Sequence, residues 1–281
     1  MDDILGPARA ARRGVGAFNV IGIEHAEAIA AGAEAVAAPV ILQISENCVI
    51  YHGALEPIAR ACVSIARSAA VPVAVHLDHV TGPALVRTAA GLGFGSVMYD
   101  ASRLPYTQNV QSTAEVASWC HERGIWVEAE LGEIGGKDGV HSPAARTRPD
   151  EAASYVAATG VDALAVAVGS SHAMLTRDAA LDLGLIAAIR AAVGVPLVLH
   201  GSSGVPDPEL AAAARMGMTK INVATQLNKV YTAAVRDCLA ANRVMVDPRR
   251  YGAAGRDAVA AEVARLLTVI GGRGEPVPAV E

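Results

Sequence analysis

Short apolar runs rich in Val, Ile and Ala alternate along the chain with longer Ala-rich stretches whose apolar positions recur at helical spacing. This alternation marks βα units around a parallel sheet, because strands covered by helices and packed on their inner side read as continuous apolar runs. Eight runs fall at 14–19, 40–45, 73–77, 96–99, 125–130, 161–168, 196–199 and 220–223. Helical stretches lie between them at 23–37, 54–69, 82–92, 107–122 and 182–192. The eighth run is followed by its own helix at 227–242, an extra terminal helix at 250–270, and a tail containing Gly and Pro. Pro39, Pro72 and Pro196 stand at strand entrances, where a missing amide donor costs little. Eight such units predict an α/β fold, a (β/α)8 TIM barrel, as a single domain over 1–281 with an extra C-terminal helix.

In such a barrel the chemistry belongs at the carboxyl ends of the strands, and there the apolar pattern gives way to polar residues. Asn19 follows the first run, Gln43 and Ser45 end the second, Asp78-His79 the third and Asp100 the fourth. Glu128 and Glu130 end the fifth, His172 follows the sixth, His200-Gly201-Ser202-Ser203 the seventh, and Asn222 through Thr225 the eighth. His79, His172 and His200 are far apart in sequence but predicted to converge on one rim. Three imidazoles leave the fourth tetrahedral position of a zinc ion open to substrate, as a catalytic site requires.

Glu128 and Glu130 share one face of a strand whose interior is otherwise apolar, so both need partners. They serve either a second metal position or the orientation of the histidines, and Asp100 stands under the same alternatives. His76 lies on the face of Asp78, where a satisfied structural role is expected. His25, His52, His121 and His141 are expected to be surface residues. The segments Gly201-Ser202-Ser203 and Asn222-Val223-Ala224-Thr225, the latter opening a helix, offer amides, hydroxyls and a positive helix end to a phosphate.

Composition narrows the partners. A chain of 281 residues, 52% hydrophobic and 18% charged with a formal net charge of −5, has material for one large core and no basic footprint. A small molecule is expected as partner, with no nucleic acid and no membrane. The amino terminus lacks a basic region followed by an apolar run, and a cytoplasmic protein is expected. Cys48, Cys62, Cys120 and Cys238 are dispersed, which predicts buried reduced thiols rather than disulfides or a thiolate metal site.

The segments Gly16-Ala17-Phe18-Asn19-Val20, Val75-His76-Leu77-Asp78-His79, Val127-Glu128-Ala129-Glu130-Leu131-Gly132, Leu199-His200-Gly201-Ser202-Ser203 and Lys220-Ile221-Asn222-Val223-Ala224-Thr225 occur in this order across nearly the whole chain. Together they resemble the class II fructose-bisphosphate/tagatose-bisphosphate aldolases, a ketose-bisphosphate aldolase family, with the shorter tagatose-type branch nearest. The resemblance implies zinc on His79, His172 and His200, Asp78 as proton donor to the aldehyde oxygen, and Glu130 and Asp100 at a remote metal position. It also implies dihydroxyacetone phosphate contacts at Ala173, at Gly201 to Ser203 and at Asn222 to Thr225. Asn19 and Ser45 complete the expected substrate-binding set. Asp138, in the loop Gly135-Gly136-Lys137-Asp138-Gly139, is the candidate for proton exchange at the carbanion carbon; a one-residue shift would place Lys137 there. Relatives of this type form homodimers or homotetramers and sometimes respond to a monovalent cation.

Besides Asp138, which stands where the family usually has glutamate, two more positions depart from the family pattern. Ala173 follows His172 where glycine is usual, and Ala253 stands where some relatives place an arginine for the far phosphate. Loss of a guanidinium removes a bidentate phosphate clamp. Arg250 or Arg256 could substitute, but an acceptor aldehyde without that phosphate is the simpler expectation. A Schiff-base aldolase needs a lysine in the mouth, and of Lys137, Lys220 and Lys229 none is expected there; Lys220, read as the first residue of its strand, is expected to face the opposite end. The alternative outside enzymology is a catalytically altered metal-binding barrel with a binding or regulatory role. Asp78 speaks against it, since a binder needs no proton donor beside the metal.

Overall fold

The computed structural model describes residues 1–131, 146–171 and 174–272. Its strands are β1 (Val15–Asn19), β2 (Val40–Ser45), β3 (Val73–Val80), β4 (Ser96–Tyr99), β5 (Trp126–Glu130), β6 (Ala163–Ala165), β7 (Leu197–Leu199) and β8 (Met218–Val223). They pair in parallel and in sequence order, and β8 closes on β1 to complete a barrel. The helices are α1 (Asp2–Ala10), α2 (Ile23–Ala35), α3 (Glu46–His52), α4 (Glu56–Ser68), α5 (Pro83–Gly91) and α6 (Tyr106–His121). They continue with α7 (Pro149–Thr159), α8 (Leu183–Ala192), α9 (Asp207–Met216), α10 (Thr225–Ala241) and α11 (Pro248–Ile270). The fold is the (β/α)8 TIM barrel expected from the apolar periodicity, and α11 is the extra terminal helix, laid against α2 and α10.

Strand alternation divides the core in two. Outward residues such as Phe18, Leu42, Leu77, Val127, Leu164 and Ile221 pack against the helices. Inward residues Val15, Ala17, Ile41, Met98, Trp126, Ala163, Ala165 and Val198 fill the lower barrel, where Ile4 and Leu5 of α1 join them. Above this apolar floor the inward positions become polar: Gln43, His76, Asp78, Glu128 and Lys220 are all buried.

The structure departs from expectation at Lys220 and at His25. The strand carrying Lys220 begins two residues earlier than the apolar pattern indicates, at Met218, so Lys220 is its third residue and faces inward, level with Val15 of β1. Its ammonium lies in the barrel, 2.8 Å from Glu128 Oε2, not at the opposite end. Thr219 interrupts the apolar run and hides the true start of the strand. Lys229 does lie on a helix, with Nζ donating to the Leu175 carbonyl at 2.9 Å. Three of the four cysteines are buried thiols as expected and Cys238 is half-buried; all four are free. His25 is also corrected: it is buried and stacked on Tyr231 with ring centroids 4.9 Å apart.

Candidate active site

The carboxyl ends of the strands open into a cleft of about 180 Å³. Asn19, Gln43, Ser45, Asp78, His79 and His200 line one part of it, and Gly201 to Ser203, Asn222, Ala224 and Thr225 line another. Residues from distant parts of the chain thus meet where the strand-end list predicts. His172, Ala173, Lys137 and Asp138 lie outside the described residues.

Asp78 and His79 are adjacent in sequence, and in a regular strand they would face opposite sides. The β3–β4 register shifts between Leu77 and Val80, and His79 takes φ +51°, a conformation uncommon for a residue with a Cβ. The bulge turns both side chains toward the cleft, as bulges near active sites do. Asp78, His79 and His200 each offer a ligand atom, all within 4.8 Å of one another, so the three can reach one ion. The His79 and His200 rings meet edge to face with centroids 4.7 Å apart.

The strand-five carboxylates, read from sequence as serving either metal or histidine, take different partners. Glu130 falls within the same 4.8 Å limit of His79 and Asp100, and Asp100 Oδ2 lies 2.8 Å from His79 Nδ1. Asp100 Oδ1 is held by the Ser102 hydroxyl at 2.6 Å. Glu128 instead places Oε1 3.0 Å from His200 Nε2 and Oε2 2.8 Å from Lys220 Nζ. Each of the two histidines thus has a carboxylate against one ring nitrogen.

Asp78 is held from the side by Gln43, whose Nε2 donates to Asp78 Oδ2 and to Asn19 Oδ1, both at 3.0 Å. Burial raises the Asp78 carboxyl above its usual range, against the pull of nearby His79 and Lys220. Behind it, burial first and the Lys220 ammonium second hold His76 well below the ordinary imidazole value. A neutral His76, with Nδ1 2.9 Å from Ser96 Oγ, matches the structural role expected for it.

The other wall suits an anion. Gly201 to Ser203 turn over the start of α10, where Ser203 Oγ accepts from the Gln226 amide at 3.1 Å. The Ser202 hydroxyl donates to the Asn222 carbonyl. Both polar atoms of the Asn222 side chain, and Oε1 of Gln43, are buried with no hydrogen-bond partner among the described residues. Buried polar groups left open around a cleft are those a ligand satisfies. Val223 is an exception within this expected set: alternation turns its side chain outward into the strand–helix layer. Asn47, absent from the sequence-derived set, joins the lining from the first turn of α3. Its position two residues past Ser45 was the available signal.

The residues present fit a divalent metal. The cluster supplies imidazole nitrogen and carboxylate oxygen, a donor set suited to zinc and related ions. Fold and site together describe a (β/α)8 barrel whose mouth gathers a cluster able to hold a metal ion beside a wall of small polar residues. The family described as class II fructose-bisphosphate aldolase matches residues 1–275, and the chain belongs to it. It is therefore an aldolase, a carbon–carbon lyase. It is 37% identical over 279 residues to the fructose-bisphosphate aldolase of Geobacillus stearothermophilus, an alignment covering 98% of this chain and 97% of that one. Among solved structures it is similar to the YdjI aldolase from Escherichia coli K12, with a TM-score of 0.86, 31% identity, and 97% of each chain covered.

Proposed function

We propose that the protein is a zinc-dependent aldolase that reversibly cleaves a phosphorylated ketose, a ketose 1-phosphate or a 1,6-bisphosphate, into dihydroxyacetone phosphate and an aldehyde. The observation that carries this reading is the meeting of Asp78, His79 and His200 at the barrel mouth beside the Gly201–Ser203 and Asn222–Thr225 walls. His79, His200 and His172 would hold the ion. Bound there, zinc supplies Lewis-acid polarisation of the ketose carbonyl and draws off charge developing as the carbon–carbon bond breaks. Asp100 and Glu130 form the remote metal position behind His79, and a monovalent cation assists phosphate binding.

Asp78 accepts the hydroxyl proton of the substrate during cleavage and returns it to the aldehyde oxygen in the reverse direction. Gln43 fixes the carboxylate for this transfer, and burial favours the protonated form that the reverse direction consumes. Asn19 and Ser45 orient the substrate. The phosphate sits against Ala173, Gly201, Ser202, Ser203 and the Asn222–Thr225 turn, where the amino terminus of α10 adds a favourable field. Asp138 exchanges the proton at the carbanion carbon. The protein works in the cytoplasm as a homodimer or homotetramer, a reading favoured by the apolar side chains exposed at Ile23, Ile50 and Tyr51.

Between the two substrate types we favour the ketose 1-phosphate. Ala253 offers no guanidinium, and Arg256 is engaged by Glu27 at 3.3 Å and Asp257 at 3.7 Å. Steady-state kinetics of the zinc-loaded enzyme with both types decide it. The expected result is kcat/KM at least as high for ketose 1-phosphates, and a strong preference for bisphosphates defeats this choice.

A further inference from the structure

Below the cleft, the described part of the barrel contains one fully buried lysine–carboxylate pair: Lys220 and Glu128, both with side chains at 0% exposure and 2.8 Å apart. Neither residue is among those that line the cleft. We propose that Lys220 and Glu128 are positioning residues for metal binding: Lys220 fixes the Glu128 side chain in place at 2.8 Å, and Glu128, 3.0 Å from His200 Nε2, holds the His200 ring with Nδ1 turned toward the metal cluster. The inference rests on the reading of His200 as a metal ligand.

An ammonium only donates, so Glu128 Oε2 accepts from Lys220. A carboxylate so paired has only acceptors left, and the nitrogen 3.0 Å from Oε1 must carry the hydrogen. His200 therefore donates through Nε2, and in the neutral ring the lone pair lies on Nδ1. Without Lys220, Glu128 Oε2 would lose the partner that fixes it, and a buried carboxyl group left so would shift and loosen its hold on His200. His76 Nε2, 3.7 Å from Glu128 Oε2, lies beyond hydrogen-bond reach and does not replace the ammonium.

The test uses the full chain stripped of metal. The variants are Lys220→Met and two neutral doubles, Glu128→Gln/Lys220→Met and Glu128→Leu/Lys220→Met. Zinc affinity is measured by competition with a chromophoric chelator, and the visible spectrum is recorded with cobalt(II). Folding is followed separately by circular dichroism and melting in chelator. Removal of groups that orient a metal ligand weakens binding by roughly 10–100-fold. Lys220→Met and the Leu double are expected to lose about that much and to show an altered cobalt spectrum. The Gln double keeps an acceptor for Nε2 and is expected to retain most of the affinity. Should Lys220→Met fail to fold, the two neutral doubles still test the acceptor on His200. Equal zinc affinities and identical cobalt spectra in those doubles, or wild-type values in a folded Lys220→Met, overturn the positioning role while leaving the function intact. Wild-type protein that binds no zinc overturns both.

Discussion

Replacing Gly201 by alanine tests how tightly the loop after β7 is built against the loop that leads to His172. Gly201 has φ +67°, and a Cβ there would lie 2.5 Å from both the carbonyl carbon and oxygen of Ser171 and 2.9 Å from its nitrogen. Gly53, the cap of α3, has a comparable φ of +76° and nothing within 4 Å of the same position. The left-handed conformation alone costs an alanine about 1–2 kcal/mol, and both substitutions carry that cost. Only Gly201→Ala also drives a methyl into backbone, an overpacking that typically adds about 1–3 kcal/mol. Gly53→Ala is thus expected to destabilise by about 1–2 kcal/mol and Gly201→Ala by about 2–5. Urea unfolding in chelator measures both without a contribution from metal binding. Gly201→Ala should also weaken zinc binding, because relief of the overlap shifts the loop in which Gly201 follows His200 directly. Equal destabilisation by the two substitutions, with zinc affinity unchanged, would refute the close approach of these loops.

The remaining predictions concern chemistry and pH. Asp78→Ala should leave zinc bound, as metal analysis would show, while kcat falls by roughly 10²–10⁴, the usual contribution of a positioned acid–base group; unchanged turnover would remove Asp78 from the role. His25→Phe should flatten the acid side of the stability profile. Burial lowers the His25 pKa, partly offset by Glu24. As pH falls through the unfolded value near 6.5, the unfolded chain takes a proton that the folded chain resists. Stability present above that value is therefore lost on the way down to the folded pKa. Phenylalanine removes this contribution and can keep the stack on Tyr231, so urea midpoints at about pH 8 and about pH 5 should differ less than in wild type. An unchanged difference would exclude His25 as a source of acid sensitivity.

The barrel was legible because its signals are local. Prolines 39, 72 and 196 mark strand entrances, and β1, β2 and β4 fall within a residue of their apolar runs. The site was legible for a related reason: polar residues ending apolar strands have few places to go except the mouth. Three features were not. Lys220 was misplaced because Thr219 hides the true start of β8, and its partner Glu128, 92 positions away, gives no local signal to correct the error. The convergence of adjacent Asp78 and His79 depends on a bulge, which cancels the alternation that sequence reasoning assumes. Glu128 and Glu130 look equivalent along β5, and only the neighbouring strands assign one to His200 and Lys220 and the other to His79 and Asp100.

The most direct test of the account is the anomalous scattering of zinc-loaded crystals, collected on both sides of the zinc absorption edge. A single strong peak within coordination distance of His79, His172 and His200, lost on treatment with chelator together with aldol cleavage, is the predicted result. Full turnover in crystals and solution without a peak at that rim would contradict it.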